Sequence, residues 1–572
     1  MKDLPPFDRH LFEPSRRLSR LGGGELGGKA HGLRLAAEIL SKHDGELAGL
    51  GFEFDVPALV ALGTDLFDTF LERNGLHTEE SSDEALKRAF QHASVPAELA
   101  GDLTALATEA RIPLAVRSSS LLEDALGQPF AGVYGTKMIP GNQLQASVRV
   151  RSLLDAIKFV WASTFFEEAR AYRRSVRNAE GSEKMAVLVQ EVVGRAHGER
   201  FYPDISGVAR SLDFYPQGRS RLEDGIVHLA LGLGKTIVDG DLTWSFSPVR
   251  PAIGPPFGSV REKMDATQNR FWAVNTGPPP AYDPMAETEY LVRPGLAEAE
   301  SDGTLRYAAS TYDPASDHLV PGTGRAGPRV LDFAPLLVHG EIPLAAALRV
   351  LLGLCQEALG APAEIEFALS LPPGGPRRFG FLQVRPLAVG SERVEVSEEE
   401  LAAPTAVVAS RAALGNGRLT LSDVVYVDPG AFEAAKNRDI AEEIAGLNRG
   451  LLEEGRPYLL IGFGRWGSSD PWLGTPVRWD QISGARAIVE AALPGMSPEP
   501  SQGSHFFHNL SSFEVCYLTI PLVGGDVDWD WLRRQPERRR SAHVRHVRLA
   551  APIEVAVDGR SGRGIVRRQE DS

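Results

Sequence analysis

The sequence predicts the α/β (α+β) class, on three observations. Short apolar runs of strand length recur along the chain, at Ile112–Val116, Met185–Val192, His228–Leu231, 363–369 and Tyr458–Ile461. Between them stand segments whose apolar residues repeat at helical spacing, such as Leu33, Ala36, Ile39 and Leu40. Hydrophobic residues make up 43% of the 572 positions and charged residues 24%, ordinary values for a globular chain with a sizeable core.

In chain order, residues 28–41 read as a helix opened by a Gly-rich turn. Residues 57–75 and 83–110 read as mostly helical. Ile112–Val116 is a short buried strand that delivers Arg117. Residues 145–177 form one long helix with Val148, Leu153, Ile157, Val160 and Trp161 on its inner side. Met185–Val192 and His228–Leu231 are strands. From about 248 to 335 breakers become frequent, including Pro255-Pro256 and Pro278-Pro279-Pro280. This stretch reads as an extended insertion holding a hairpin, with Tyr290–Val292 and Thr304–Tyr307 as its arms. A helix at 343–358 leads into a strand at 363–369. Residues 391–404 form an acidic linker, and 405–572 a second, mixed α/β unit.

Bulk properties exclude several roles. The formal net charge is -14 and the isoelectric point about 5.5, which argues against a general nucleic-acid or membrane-surface role. No apolar run approaches the roughly 20 residues needed to cross a bilayer. No secretory signal is visible. Cys355 and Cys516 suit buried thiols in a reducing compartment, so a cytoplasmic location is expected and the sequon at Asn509 carries no glycan.

Two segments about 250 residues apart look like the walls of a nucleoside-triphosphate site. The first is Val116-Arg117-Ser118-Ser119-Ser120, followed by Glu123-Asp124 and Phe130-Ala131-Gly132. Arg117 offers bidentate donors to phosphate; a structural ion pair with Glu123 or Asp124 is the other reading. The second is Glu364-Ile365-Glu366-Phe367, followed by Phe381-Leu382-Gln383-Val384-Arg385-Pro386. Glu364 and Glu366 alternate on one strand and face the same way, which is costly unless a cation lies between them. Mg²⁺ is the expected cation, because the ligands are hard oxygens. A cross-strand Glu–Arg salt bridge fits the same residues. Lys29 follows a Gly-rich turn at a helix start, where backbone N–H groups favour phosphate; a solvated lysine is the alternative.

In order and spacing across about 20–390, these segments resemble the N-terminal ATP-binding domain of phosphoenolpyruvate synthase and pyruvate phosphate dikinase, a member of the ATP-grasp group. Gly27-Gly28-Lys29-Ala30-His31-Gly32-Leu33 is similar to that family's Gly-Gly-Lys-Gly-Ala-Asn-Leu. Trp161-Ala162-Ser163, Ala171-Tyr172-Arg173, Val189–Val193, Ser206-Gly207-Val208 and Gly232-Leu233-Gly234 belong to the same resemblance. It implies an ATP-grasp-like domain at 20–390 behind an N-terminal arm at 1–19. It also implies an ATP- and Mg²⁺-dependent phosphotransferase with an unknown acceptor, either a small molecule or a histidine. In that family a histidine attacks the β-phosphate. Lys29, Arg117, Gly132, Thr136, Gln190, Gln383 and Arg385 are the nucleotide-binding residues the resemblance implies. Glu364 and Glu366 are the metal ligands, Arg117 and Arg385 the charge-neutralising catalytic pair, and Gln190–Val193 the strand that meets adenine. The family's phosphohistidine and pyruvate-binding barrel domains are not recognisable in 405–572. A catalytically reduced ATP-binding regulatory module and an acyl-phosphate-forming ligase are the competing readings.

Several motifs mislead. Gly232–Thr236 ends like a P-loop, but Leu229 stands where its first glycine belongs, and Lys235 replaces the resembled family's usual Glu. Gly22–Gly27 fits a dinucleotide fingerprint, yet Ser15-Arg16-Arg17 upstream reads as no strand. Gly462–Gly467 fits too and follows a convincing strand, but breakers after it oppose a helix. His505 is the internal candidate for phosphoacceptor, with Gly503 and Ser504 leaving room beside it; a packed pair with His508 is the bland reading. The tail from Arg533 to Arg568 is basic but lacks the interleaved aromatics of an RNA-binding surface.

Overall fold

The computed structural model describes residues 4–8, 17–76, 82–120, 134–167, 169–170, 184–213, 221–239, 241–255, 259–265, 267–387, 394–468, 472–492, 515–522 and 526–568. Helices and multi-stranded sheets alternate through it, as the α/β class requires. None of the described helices is long and apolar enough to cross a membrane.

Among the described residues the first two-thirds hold four sheets, and the two largest frame the site. A five-stranded sheet runs Leu18–Leu21, Leu59–Leu62, Met185–Glu191, Leu114–Ser120, Thr136–Ile139. A six-stranded sheet runs Trp244–Phe246, Ile226–Ala230, Ile205–Arg210, Ala363–Ser370, Arg378–Pro386, Glu53–Asp55. The helix Gly27–Lys42 clamps one sheet to the other. A Cβ on Gly27 would stand 1.9 Å from the Ser119 carbonyl oxygen of the first sheet, and one on Gly32 would stand 2.2 Å from the Val384 oxygen of the second. Gly27 also holds φ +77°, a backbone state open to glycine at little cost. The helix Leu344–Leu359 buries Leu344, Ala347, Leu348, Leu351, Leu352 and Cys355, and these share a core with the inner residues of Ala363–Ser370.

The last third folds around a ten-stranded sheet in which Gly417–Val427, Tyr458–Phe463, Ala485–Ala491 and Cys516–Ile520 run parallel. The helix Asn437–Glu453 lays Ile440, Ile444, Leu447 and Leu451 on it, an apolar stripe about three turns long. Both cysteines are buried and unbridged, and burial pushes the Cys355 thiol up to about 12.

Several elements differ from expectation. Residues 57–75 divide into the strand Leu59–Leu62 and the helix Thr64–Asn74, because the four strand residues are buried on both faces and show no period. The 83–110 segment is two helices, Asp83–His92 and Ala97–Glu109; the first ends where Ala93 turns extended, and Pro96 disfavours the helical state at Val95 before the second. The long helix stops at Ser163; 171–183 lie outside the described residues. The hairpin of the insertion is Ala309–Asp313 with His318–Pro321. Thr304–Arg306 is instead a 3₁₀ turn, and Leu291–Val292 pairs with Ala273–Asn275. Just before that 3₁₀ turn, Asp302 ends the helix Leu296–Ser301, and Gly303 is left-handed. A strand, Leu18–Leu21, does precede the Gly22–Gly27 run. That run binds no phosphate through Gly23 or Glu25, because their N–H groups already donate to Asp65 Oδ2 (2.6 Å) and Thr64 Oγ1 (3.1 Å).

Candidate functional site

Between the two sheets lies a cleft of about 510 Å³, within the range of small-molecule sites. Its two ends differ chemically. Ala115, Met138, Val192, Leu233 and Leu291 make one end apolar. Lys29, Arg117 and Arg385 make the other cationic, with Glu366 and Gln383 beside them.

Arg117 ties the site together. It lies within the strand Leu114–Ser120 rather than after it, and its guanidinium crosses to the second sheet. Nη1 donates to the Leu382 carbonyl (2.7 Å) and to Gln190 Oε1 (3.3 Å). Nη2 donates to Gln383 Oε1 (3.1 Å) and Glu366 Oε2 (3.2 Å). Lys29 sits in the first turn of its helix, nearly buried, with Nζ 3.4 Å from Ser118 Oγ. The start of that helix is fixed to the Arg117 strand by Ser119, whose hydroxyl donates to the Leu26 carbonyl (2.7 Å) and accepts from Ala30 N–H (3.3 Å). Thr136 pairs in register with Arg117 and also lines the cleft. Gln190 is buried, and its Nε2 has no hydrogen-bond partner among the described residues. A buried, unsatisfied amide at a cleft wall is a ready donor to a ligand. Gly132 and His505 lie outside the described residues, as do Glu123 and Asp124, the ion-pair partners considered for Arg117.

The paired-carboxylate expectation needs correction at Glu364. Arg210, Glu364 and Arg385 face one another across three neighbouring strands. Glu364 is fully buried there, accepting from Arg210 Nε (2.6 Å) and Arg385 Nε (2.7 Å), and it does not line the cleft. The cation between the two glutamates is the Arg385 guanidinium, whose Nη2 bonds Glu364 and stands 4.0 Å from Glu366. Glu366 alone opens to the cleft. Among the described residues no three His, Cys, Asp or Glu side chains gather to hold a metal. Glu366 and Gln383 still offer hard oxygens there. Mg²⁺ usually takes one or two carboxylates and completes its shell with substrate phosphates and water, so this sparse donor set fits it.

Sequence reasoning missed other cleft residues. Lys235, which the sequence marks as a departure from the resembled family that bears on phosphate or metal handling but not as a cleft residue, lines the cleft and pairs with Asp239 (2.9 Å) and Glu287 (3.6 Å). Burial alone would lower the Lys235 pKa, but these two carboxylates outweigh it and the net direction is up. Burial pushes both Asp239 and Glu287 above the usual carboxylate range. Asp239 was legible as the i+4 partner of Lys235. Glu287 was not, because it arrives from the insertion. Buried Lys137 holds its segment there, binding Glu289 (2.7 Å) and the carbonyls of Pro284 and Ala286 (both 2.7 Å). Arg465, Trp466, Arg478 and Trp479 reach the cleft from the C-terminal sheet.

Residues 24–404 match the family described as pyruvate phosphate dikinase, AMP/ATP-binding domain, and the chain belongs to that family. It is similar to rifampicin phosphotransferase of Streptomyces sviceus, 33% identical over 157 residues, 27% of this chain and 16% of that protein. It is also similar to an uncharacterised phosphotransferase, YvkC, of Bacillus subtilis, 26% identical over 236 residues, 41% of this chain and 24% of the relative. The chain thus spans less than a quarter of the length of these two relatives.

Proposed function

We propose that this member of the pyruvate phosphate dikinase ATP-binding family is an ATP- and Mg²⁺-dependent phosphotransferase working in the cleft between the two sheets. The observation that carries the reading is Arg117. One guanidinium joins a strand of the first sheet to Glu366 and Gln383 of the second, at the junction of an apolar and a cationic end. Such polarity suits a base at one end and a polyphosphate at the other. In this reading Gln190 meets adenine through its unpaired amide. Lys29, Arg117 and Arg385 neutralise phosphate oxygens, with Thr136 and Gly132 beside the chain of phosphates. Glu366 would hold Mg²⁺ with help from Gln383. The metal, when bound, screens phosphate charge so that a nucleophile can approach.

His505 is the proposed internal acceptor. It lies outside the described residues; what supports the reading is that the strand preceding it in the chain, Ala485–Ala491, ends near the cleft. Ala491 stands beside Phe463 in parallel register, and Gly464 N–H donates to the Ala491 carbonyl (3.2 Å), one residue before cleft-lining Arg465. A second reading, an ATP-binding regulatory module with reduced turnover, draws on Lys235, whose charge is already engaged by Asp239 and Glu287.

Incubation with ATP labelled at the β-phosphate separates these readings. Transfer through a histidine predicts acid-labile, base-stable label on the protein and AMP among the products. His505→Ala should lose the label and keep ATP binding. Label persisting in that variant removes His505 from the mechanism. ATP bound but never consumed leaves the regulatory reading, and ADP with no protein label points to direct transfer to a diffusible acceptor.

A further inference from the structure

The Gly462–Gly467 segment satisfies a nucleotide-binding pattern and forms no Rossmann unit. Its strand, Tyr458–Phe463, is followed by the two-residue strand Arg465–Trp466, which pairs in parallel with Gly474–Thr475. The backbone there is held tightly. Arg465 N–H donates to the Leu473 carbonyl (3.0 Å) and Gly467 N–H to the Thr475 carbonyl (2.9 Å). A Cβ on Gly474 would stand 1.9 Å from the Arg465 carbonyl oxygen, so no other residue allows this approach. Gly462 leaves room for the Trp466 ring, which would lie 2.4 Å from a Cβ there, and Trp466 Nε1 donates to the Val489 carbonyl (3.2 Å). The glycines therefore build a rigid mount, and the side chain on it that faces the cleft with a charge is Arg465.

The mount has a defined position. Tyr458–Phe463 is one of four parallel strands, and Arg465 comes just past its carboxyl end, where open α/β sheets place their ligands. That edge of the C-terminal sheet is applied to the cleft of the first two sheets. Arg465 stands on the side of the six-stranded sheet that carries the charged rows. In one row His228, Val208, Glu366 and Gln383 face one another, and in the next Arg210, Glu364 and Arg385 do. Arg465 is near enough to the buried His228 to add to the electrostatic lowering that Arg210 exerts on it. Its place is thus among the cationic residues and away from the apolar end.

We infer that Arg465 is a further phosphate-binding residue, supplied in cis by the C-terminal domain and directed at the outer phosphates of the nucleotide. This rests on the cleft's being the ATP site. A guanidinium is suited to the task, since its fork matches two phosphate oxygens at once. It follows that 405–572 is a wall of the nucleotide site as well as a neighbour of it.

Equilibrium titration of the full-length protein with ATP and with AMP, both in the presence of Mg²⁺, tests this. Arg465→Ala should weaken ATP by about tenfold to a hundredfold, the worth of one charge-assisted contact, and leave AMP unchanged. Arg465→Lys keeps the charge and loses the fork, so it should fall between the two; it also serves where the alanine variant does not fold. Equal affinities for variant and parent overturn the inference. So does equal weakening of ATP and AMP, which would mark Arg465 as a structural prop. If the parent binds neither nucleotide, the reading of the cleft itself fails, and the inference with it.

Discussion

Arg117 satisfies four acceptors on three strands, which makes it both a structural tie and the centre of the proposed phosphate end. Its removal should therefore act twice. Arg117→Ala should lower the melting temperature of the nucleotide-free protein, because Glu366, Gln383 and the Leu382 carbonyl lose a shared donor at a cost of about 1–3 kcal/mol. It should also abolish the further rise in melting temperature that ATP with Mg²⁺ gives the parent, since a ligand that binds only the native state raises its stability. Glu366→Gln should lose the Mg²⁺-dependent part of that rise, and excess chelator should do the same to the parent. Differential scanning fluorimetry reads all of these. An unchanged response to ATP in both variants would move the site elsewhere. ATP stabilisation indifferent to chelator would leave Glu366 as a salt-bridge partner of Arg117 alone.

Among elements, the strand Ile226–Ala230 buries His228 one row away from Arg210, Glu364 and Arg385. Burial first, and Arg210 second, drive its imidazole down to about 3, against the partial help of Glu364. Unfolded, the same group titrates at 6.5. Above that pH neither state is protonated and His228 adds no pH dependence. Below it the unfolded chain takes up a proton that the fold refuses, so stability falls by roughly 1.4 kcal/mol per pH unit until about pH 3. Chemical denaturation of the parent and of His228→Gln between pH 7 and pH 4 should show a steeper loss in the parent; parallel curves would disprove the assignment. The same sheet shows what sequence can and cannot convey. Alternation along 363–369 and the Gln383–Arg385 pair gave the strands, the facing side chains and the cationic wall. It did not say that Arg210, 154 residues away, would join Arg385 in enclosing Glu364. Local pattern reports which way a side chain points, and only long-range pairing reports what it meets. The run Leu59–Leu62 misled for a related reason: burial on both faces erases the period that separates strand from helix. Arg465 was hidden most thoroughly, since its place in the cleft depends on the docking of a sheet that begins after residue 404.

At the scale of the whole molecule, the chain carries a formal charge of -14, yet its cleft does not share that sign. Lys29, Arg117, Lys235, Arg385, Arg465 and Arg478 stand against Glu191, Asp239, Glu287 and Glu366, six cations to four anions, or +2. An approaching nucleotide meets the acidic body first and the cationic cleft last. The range of the outer field is set by salt, about 30 Å at 0.01 M and about 10 Å at 0.1 M. Stopped-flow association of a fluorescent ATP analogue should therefore speed up as salt rises through that interval, opposite to the behaviour of attractively steered pairs. A rate that falls instead would mean that the cleft's own field reaches past the surface. The magnesium complex of a nucleotide carries less negative charge than the free form and meets a lower outer barrier. Encounter kinetics would then discriminate between the two forms before any residue of the cleft touches either.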